Sequence, residues 1–232
     1  MISLRRAEER GHTDLSWLDS RHTFSFGGYH DPEYMGFRAL RVINDDRVAA
    51  AEGFGTHGHR DMEIVSYVLS GALEHKDSMG TGSVLRPGEI QMMRAGTGVR
   101  HSEYNHSQTE SVHFLQIWIV PDRAALRPAY GEKKIDAAAA QRGLLLLASR
   151  DGRDESLQIQ QEVDLWLARP EKGEVRTLAL RPGRHAWVQM AQGSATLNGQ
   201  PLREGDGAAV TGETEVTLVG EDAADVLLFD LA

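Results

Sequence analysis

The sequence predicts an all-β chain built as two barrel-like sandwiches, and three observations carry that prediction. Apolar runs are short, turn residues punctuate them at hairpin spacing, and segments with a sustained helical period are scarce. Glycine, at 24 of 232 residues, exceeds the usual level of about 7% and adds to the expectation of many tight turns.

The expected strands follow in order. The runs from Ala39 to Ile43, Ile64 to Leu69, Val112 to Val120, Leu144 to Ala148, Thr214 to Val219 and Val226 to Leu231 have strand-like lengths, and several are rich in β-branched residues. The run from Val112 to Val120 is apolar at both odd and even positions and reads as a strand covered on both faces. Asn44-Asp45-Asp46, Pro182-Gly183 and Asn198-Gly199 read as turns. The stretch from Pro121 to Gly143 breaks the pattern with two prolines, several charges and the alanines at 137–140, and reads as a linker with at most a short helix. The expected organisation is an N-terminal domain over residues 1–122, a linker over 123–142 and a C-terminal domain over 143–232. The halves echo each other weakly: Ser70-Gly71-Ala72-Leu73 and Arg86-Pro87-Gly88-Glu89 resemble Gln192-Gly193-Ser194-Ala195 and Arg203-Glu204-Gly205-Asp206.

Composition removes several function classes. With 25 basic and 34 acidic residues the formal charge is −9, which argues against direct nucleic-acid binding. Cysteine is absent, so disulfides, thiolate catalysis and cysteine-ligated metals are excluded. No apolar run approaches the ~20 residues of a membrane span. The N-terminus has basic residues without an apolar stretch behind them, so a cytoplasmic location is expected.

The chemistry concentrates in two stretches. The first runs from Gly53 to Glu63 and contains His57-Gly58-His59; the second runs from Ala95 to Asn105 and contains His101-Ser102-Glu103. On a strand, residues two apart share a face at about 6.6 Å, so each pair can lean toward one point. Two such strands side by side supply three imidazoles and a carboxylate, a donor set for one divalent first-row metal, with Fe, Mn, Ni, Cu and Zn as candidates. Glu63 shares the parity of His57 and His59 if the strand is unbroken and stands as a reserve ligand, a supporting or surface role being the simpler reading. His106 and His113 read as structural or solvent-facing, His75 as a surface residue, and the aromatic group of Phe24, Phe26, Tyr29, Tyr34 and Phe37 as core that reaches a pocket mouth. Nine of ten histidines lie at or before His113; His185 has no partner two residues on, so the C-terminal domain is expected to lack a metal site.

At these residues the chain resembles the cupins. His57, His59 and Glu63 fit the first cupin motif, with Gly71 one residue late; Gly98, His101 and Asn105 fit the second, with Gly96 where proline is usual. Glu103 between His101 and Asn105, together with Trp17-Leu18-Asp19-Ser20, His22-Thr23-Phe24-Ser25-Phe26, Met35-Gly36-Phe37 and Arg41-Val42-Ile43-Asn44-Asp45-Asp46, resembles the pirin branch over roughly residues 1 to 120. Gly58 departs from the proline frequent between the two histidines.

The resemblance implies a bicupin of two jelly-roll barrels with a metal, iron first among the candidates, held by His57, His59, His101 and Glu103. It implies a quercetinase-type dioxygenase: a flavonol 3-hydroxyl is deprotonated and binds the metal, dioxygen reacts, and the ring opens with loss of carbon monoxide. Glu103 is then both ligand and catalytic base. The partners implied are a flavonol-like aromatic substrate and dioxygen. The alternative is a pirin-like metal- or redox-sensing regulator that acts by binding a protein partner.

Overall fold

A computed structural model describes all 232 residues, 56% in strands and 5% in helix. The chain divides into two compact units: Gly11–Lys134 with Ile159–Gln161, and Met1–Arg10 with Ile135–Gln158 and Glu162–Ala232. No helix is long and apolar enough to cross a membrane.

In the first unit, a seven-stranded antiparallel sheet runs in the order Ala129–Lys134, Glu89–Arg94, Glu63–Ser70, Val112–Ile119, Leu40–Val48, Leu18–His22, Gly11–Asp14. A four-stranded sheet runs Gly53–His59, Val99–Asn105, Leu73–Asp77, Gly82–Leu85. One apolar cluster joins the two sheets: Leu18, Val48, Val68, Val112 and Phe114 from the larger, Leu73 and Leu85 from the smaller. Burying a side chain of this size contributes about 1.5–3 kcal/mol. Val112–Ile119 is buried at all but one position, as its run of apolar residues requires of a central strand.

The second unit repeats the plan. Its seven-stranded sheet runs Ile2–Arg5, Gly207–Thr211, His185–Gln192, Asp225–Leu231, Val163–Ala168, Leu144–Ser149, Leu157–Gln158, and its four-stranded sheet Val175–Ala179, Glu215–Gly220, Ser194–Leu197, Gln200–Arg203. Val188, Val210 and Leu228 meet Leu197, Val216 and Leu218 in its core. Asn198 and Gly199 form the expected tight hairpin, both with positive φ, the combination a type I′ turn requires.

These boundaries differ from the division into 1–122, 123–142 and 143–232. Residues 2–5 pair with 207–210, and Ile2 and Leu4 pack on the core of the second unit. Asp206, wholly buried, accepts hydrogen bonds from the Ala7 amide and the Arg6 guanidinium, each at 2.8 Å. Within the expected linker, Ala129–Lys134 is an edge strand of the first unit and Ala137–Arg142 is a helix capped by Asp136. Asn44-Asp45-Asp46 is no turn but the middle of the strand Leu40–Val48. These polar residues find partners there: Asn44 meets His22 at 2.8 Å, and Asp45 meets His113 at 2.6 Å.

Candidate metal centre

The strands Gly53–His59 and Val99–Asn105 lie side by side with His57 opposite His101. Gly53 permits the approach, since a Cβ there would stand 2.4 Å from the Glu103 carbonyl oxygen. The register then slips: His101 to Glu103 spans two residues while His57 to Phe54 spans three. This bulge re-aims the residues around it, as bulges beside functional sites commonly do. The second strand alternates cleanly, with Val99, His101, Glu103 and Asn105 buried and the residues between them more exposed.

The three imidazoles of His57, His59 and His101 converge, with ring centroids 4.5–4.8 Å apart. The Nδ1–H of His57 donates to the Gly55 carbonyl at 2.8 Å, which leaves Nε2 as the lone-pair nitrogen. That Nε2 lies 3.1 Å from His101 Nε2. Two nitrogens bound to one metal at 2.0–2.1 Å stand about 2.9 Å apart at a right angle and about 3.4 Å at the tetrahedral angle, so the spacing fits a shared ion. Burial, reinforced by His57, holds the pKa of His59 down to about 4. Burial, reinforced by the neighbouring imidazoles, holds His101 down to about 2. Both rings are therefore neutral near pH 7, as ligation demands.

Glu103 lines the same cavity, and its carboxylate groups with His101 and His75 rather than lying within the three-histidine set. Its hydrogen bonding is directionally forced. The Trp118 indole only donates, so at 3.1 Å it claims the Gln116 Oε1 and turns the Gln116 amide N–H₂ onto Glu103 Oε2 at 2.5 Å. Tyr130 donates to Gln91 Oε1, Gln91 Nε2 donates to the Ser66 hydroxyl, and Ser66 therefore donates to Glu103 Oε1. Both carboxyl oxygens accept, which favours the ionised form; burial opposes it and wins, pushing the pKa up to about 7.

The surrounding cavity, of about 560 Å³, is lined by Trp17, Phe26, Phe54 and Trp118 as aromatic walls and by a polar arc that includes Ser20, Asn44, Asp46 and Gln116. Trp118 stands edge-on to His59, with centroids 4.8 Å apart. Of the aromatic group expected at a pocket mouth, Phe26 reaches the cavity and Phe24 is core.

Glu63 does not reach the site. Arg60 to Met62 interrupt the strand, Asp61 with φ +50°, so the parity argument fails; Glu63 is buried and accepts from Arg94 Nε at 2.8 Å. His75 is not a surface residue but wholly buried, 3.2 Å from Asp77, stacked on Tyr130 and 5.3 Å from the His101 ring. The alternation of Leu73, His75 and Asp77 on one strand face was its legible signal. The His185 ring lies 3.2 Å from the Thr211 hydroxyl in the second unit. Gln116 and Ser66 lie in no recognised motif, because their roles arise from pairings across strands distant in sequence, and Asp46, within a stretch that resembles the pirins, reads in the sequence only as part of a turn.

Two antiparallel sheets enclosing clustered histidines, with a second unit of the same plan, define a bicupin with a metal-type centre in one barrel. The chain belongs to the pirin family: the Pirin family model matches residues 3–119, and the model for the quercetinase C-terminal cupin domain matches residues 146–231. It is 47% identical to the quercetin 2,3-dioxygenase of Escherichia coli K12 over 231 residues, covering 100% of this chain and 99% of that one. Among solved structures it resembles YhhW from Escherichia coli, with TM-score 0.97, 47% identity and coverage of 100% and 98%. A structure of the bacterial pirin YhhW from Escherichia coli in complex with nickel(II) matches with TM-score 0.95, 47% identity and coverage of 100% and 99%.

Proposed function

We propose that this chain is a metal-dependent dioxygenase that opens the ring of a flavonol, with one divalent metal held by His57, His59, His101 and Glu103. The observation that carries the reading is a carboxylate beside a candidate metal centre in an aromatic-walled cavity: Glu103, buried and held by Ser66 and Gln116. The relatives named quercetin 2,3-dioxygenase and the nickel(II) complex of YhhW support it. Iron and nickel both suit a histidine-rich donor set.

A bound divalent metal supplies Lewis-acid stabilisation of the negative charge on the substrate's ionised hydroxyl. The residues supply the rest. Glu103 is the acid placed to accept the proton of that hydroxyl. Ser66 and Gln116 hold both of its oxygens, so the carboxylate keeps its orientation. Trp17, Phe26, Phe54 and Trp118 take a flat aromatic system between them and exclude water.

The test is aerobic flavonol decay, normalised to bound metal, in the wild type and Glu103→Gln. The amide keeps the shape and loses the basicity, so the rate per metal should fall about 10²-fold or more. A variant that turns over at the wild-type rate removes Glu103 as the base.

A further inference from the structure

The cavity has a second wall. His57, His59 and Glu103 stand on the four-stranded sheet, while Ser20, His22, Asn44, Asp46 and Gln116 enter from the seven-stranded sheet. Asp46 is the one acid on that second wall. It is 3% exposed, and its Oδ1 has no hydrogen-bond partner. Ser20 bonds the carboxyl, and the other charged groups acting on it, Asp45, Glu103 and Asp19, are all acidic. Burial, with these like charges, raises its pKa to about 7.

A buried carboxyl with an unused oxygen and no cation beside it costs folding free energy. Its neighbours on the strand show that the position can be satisfied otherwise: Asn44 is paired to His22, and Asp45 to His113. The arrangement suits a ligand that brings its own hydrogen-bond donor into the cavity.

We infer that the wall formed by the seven-stranded sheet is a hydroxyl-recognition subsite, where the Asp46 carboxyl accepts a hydrogen bond from a hydroxyl of an aromatic substrate other than the one that is ionised. The inference rests on the flavonol reading and deepens it: the preferred substrate is polyhydroxylated, and Asp46 is the residue that sets the preference. A parent flavonol with only its 3-hydroxyl leaves Asp46 unpaired; a flavonol with further ring hydroxyls pairs it. Sites built to bond a hydroxyl discriminate strongly against analogues that lack it.

The experiment is equilibrium binding of quercetin and of 3-hydroxyflavone to nickel-loaded full-length protein without dioxygen, read by quenching of tryptophan fluorescence, since Trp17 and Trp118 line the cavity. Wild type should bind quercetin about ten- to a hundredfold more tightly, the range a hydrogen bond to a charged group supports. Asp46→Ala and the closer-sized Asp46→Leu should each cut that ratio at least tenfold; binding of 3-hydroxyflavone by either variant shows that its cavity is intact. A ratio retained in the variant that binds 3-hydroxyflavone overturns the subsite, as does a wild type that binds both flavonols equally. A wild type that binds neither overturns the flavonol reading itself, and the subsite with it.

Discussion

Replacing Glu103 with glutamine should change how the stability of the metal-free protein depends on pH. The folded-state pKa of Glu103 is about 7 against an ordinary 4.5, raised by burial. A folded-state pKa above the unfolded value means that the contribution to stability is fully present below about pH 4.5 and is lost as pH rises through 7. The shift of about 2.5 units corresponds to about 3 kcal/mol, of which about 2 to 3 kcal/mol falls between pH 5 and pH 8. Glu103 is 1% exposed, so solvent screening removes little of it. The assay is urea unfolding of chelator-treated wild type and Glu103→Gln at the two pH values. Asp46, raised in the same sense, is present in both proteins and largely cancels in the comparison. Wild type should lose about 2 to 3 kcal/mol relative to the variant on going from pH 5 to pH 8, about one to two molar in urea midpoint for a typical slope. Parallel pH dependence, within about 0.5 kcal/mol, would refute the claim that burial dominates at Glu103.

Elemental analysis should find about one divalent metal per chain, falling sharply in His59→Ala and His101→Ala; metal retained in both variants removes the histidine assignment. Metal binding at pH 6 should release at least about 0.9 proton, the share Glu103 still carries at one unit below its pKa of about 7, and Glu103 should supply only about 0.1 at pH 8. Calorimetric titrations in buffers of different ionisation enthalpy measure this, and an equal release at both pH values contradicts it. Asp206→Ala should lower stability by about 3 kcal/mol, since it strands Arg6 and the Ala7 amide beside a fully buried position; a loss under about 1 kcal/mol would show that the N-terminal strand does not depend on this anchor.

What the sequence could show was what local pattern encodes. Most of the short apolar runs placed their strands within a residue or two, as Ile64 to Leu69 inside Glu63–Ser70 and Val226 to Leu231 inside Asp225–Leu231, while Ala39 to Ile43 covers only the first part of Leu40–Val48. Same-face spacing on neighbouring strands anticipated that His57, His59 and His101 would converge. Where two principles competed, the local one misled. Asn44-Asp45-Asp46 has turn composition, yet cross-strand partners and a cavity hold it extended. Glu63 kept the right parity only on an unbroken strand, and the positive φ at Asp61 breaks it. Pairings about 200 residues apart, such as Ile2 with Val210, leave no trace in local composition, so the N-terminal strand was assigned to the wrong unit.

The most direct test of the account is dioxygen uptake and carbon monoxide release on adding quercetin to metal-loaded wild type and to His101→Ala. One dioxygen should be consumed and one carbon monoxide released per flavonol in the wild type, with both lost in the variant. Wild-type protein carrying a full complement of iron or nickel that consumes no dioxygen with quercetin would contradict it.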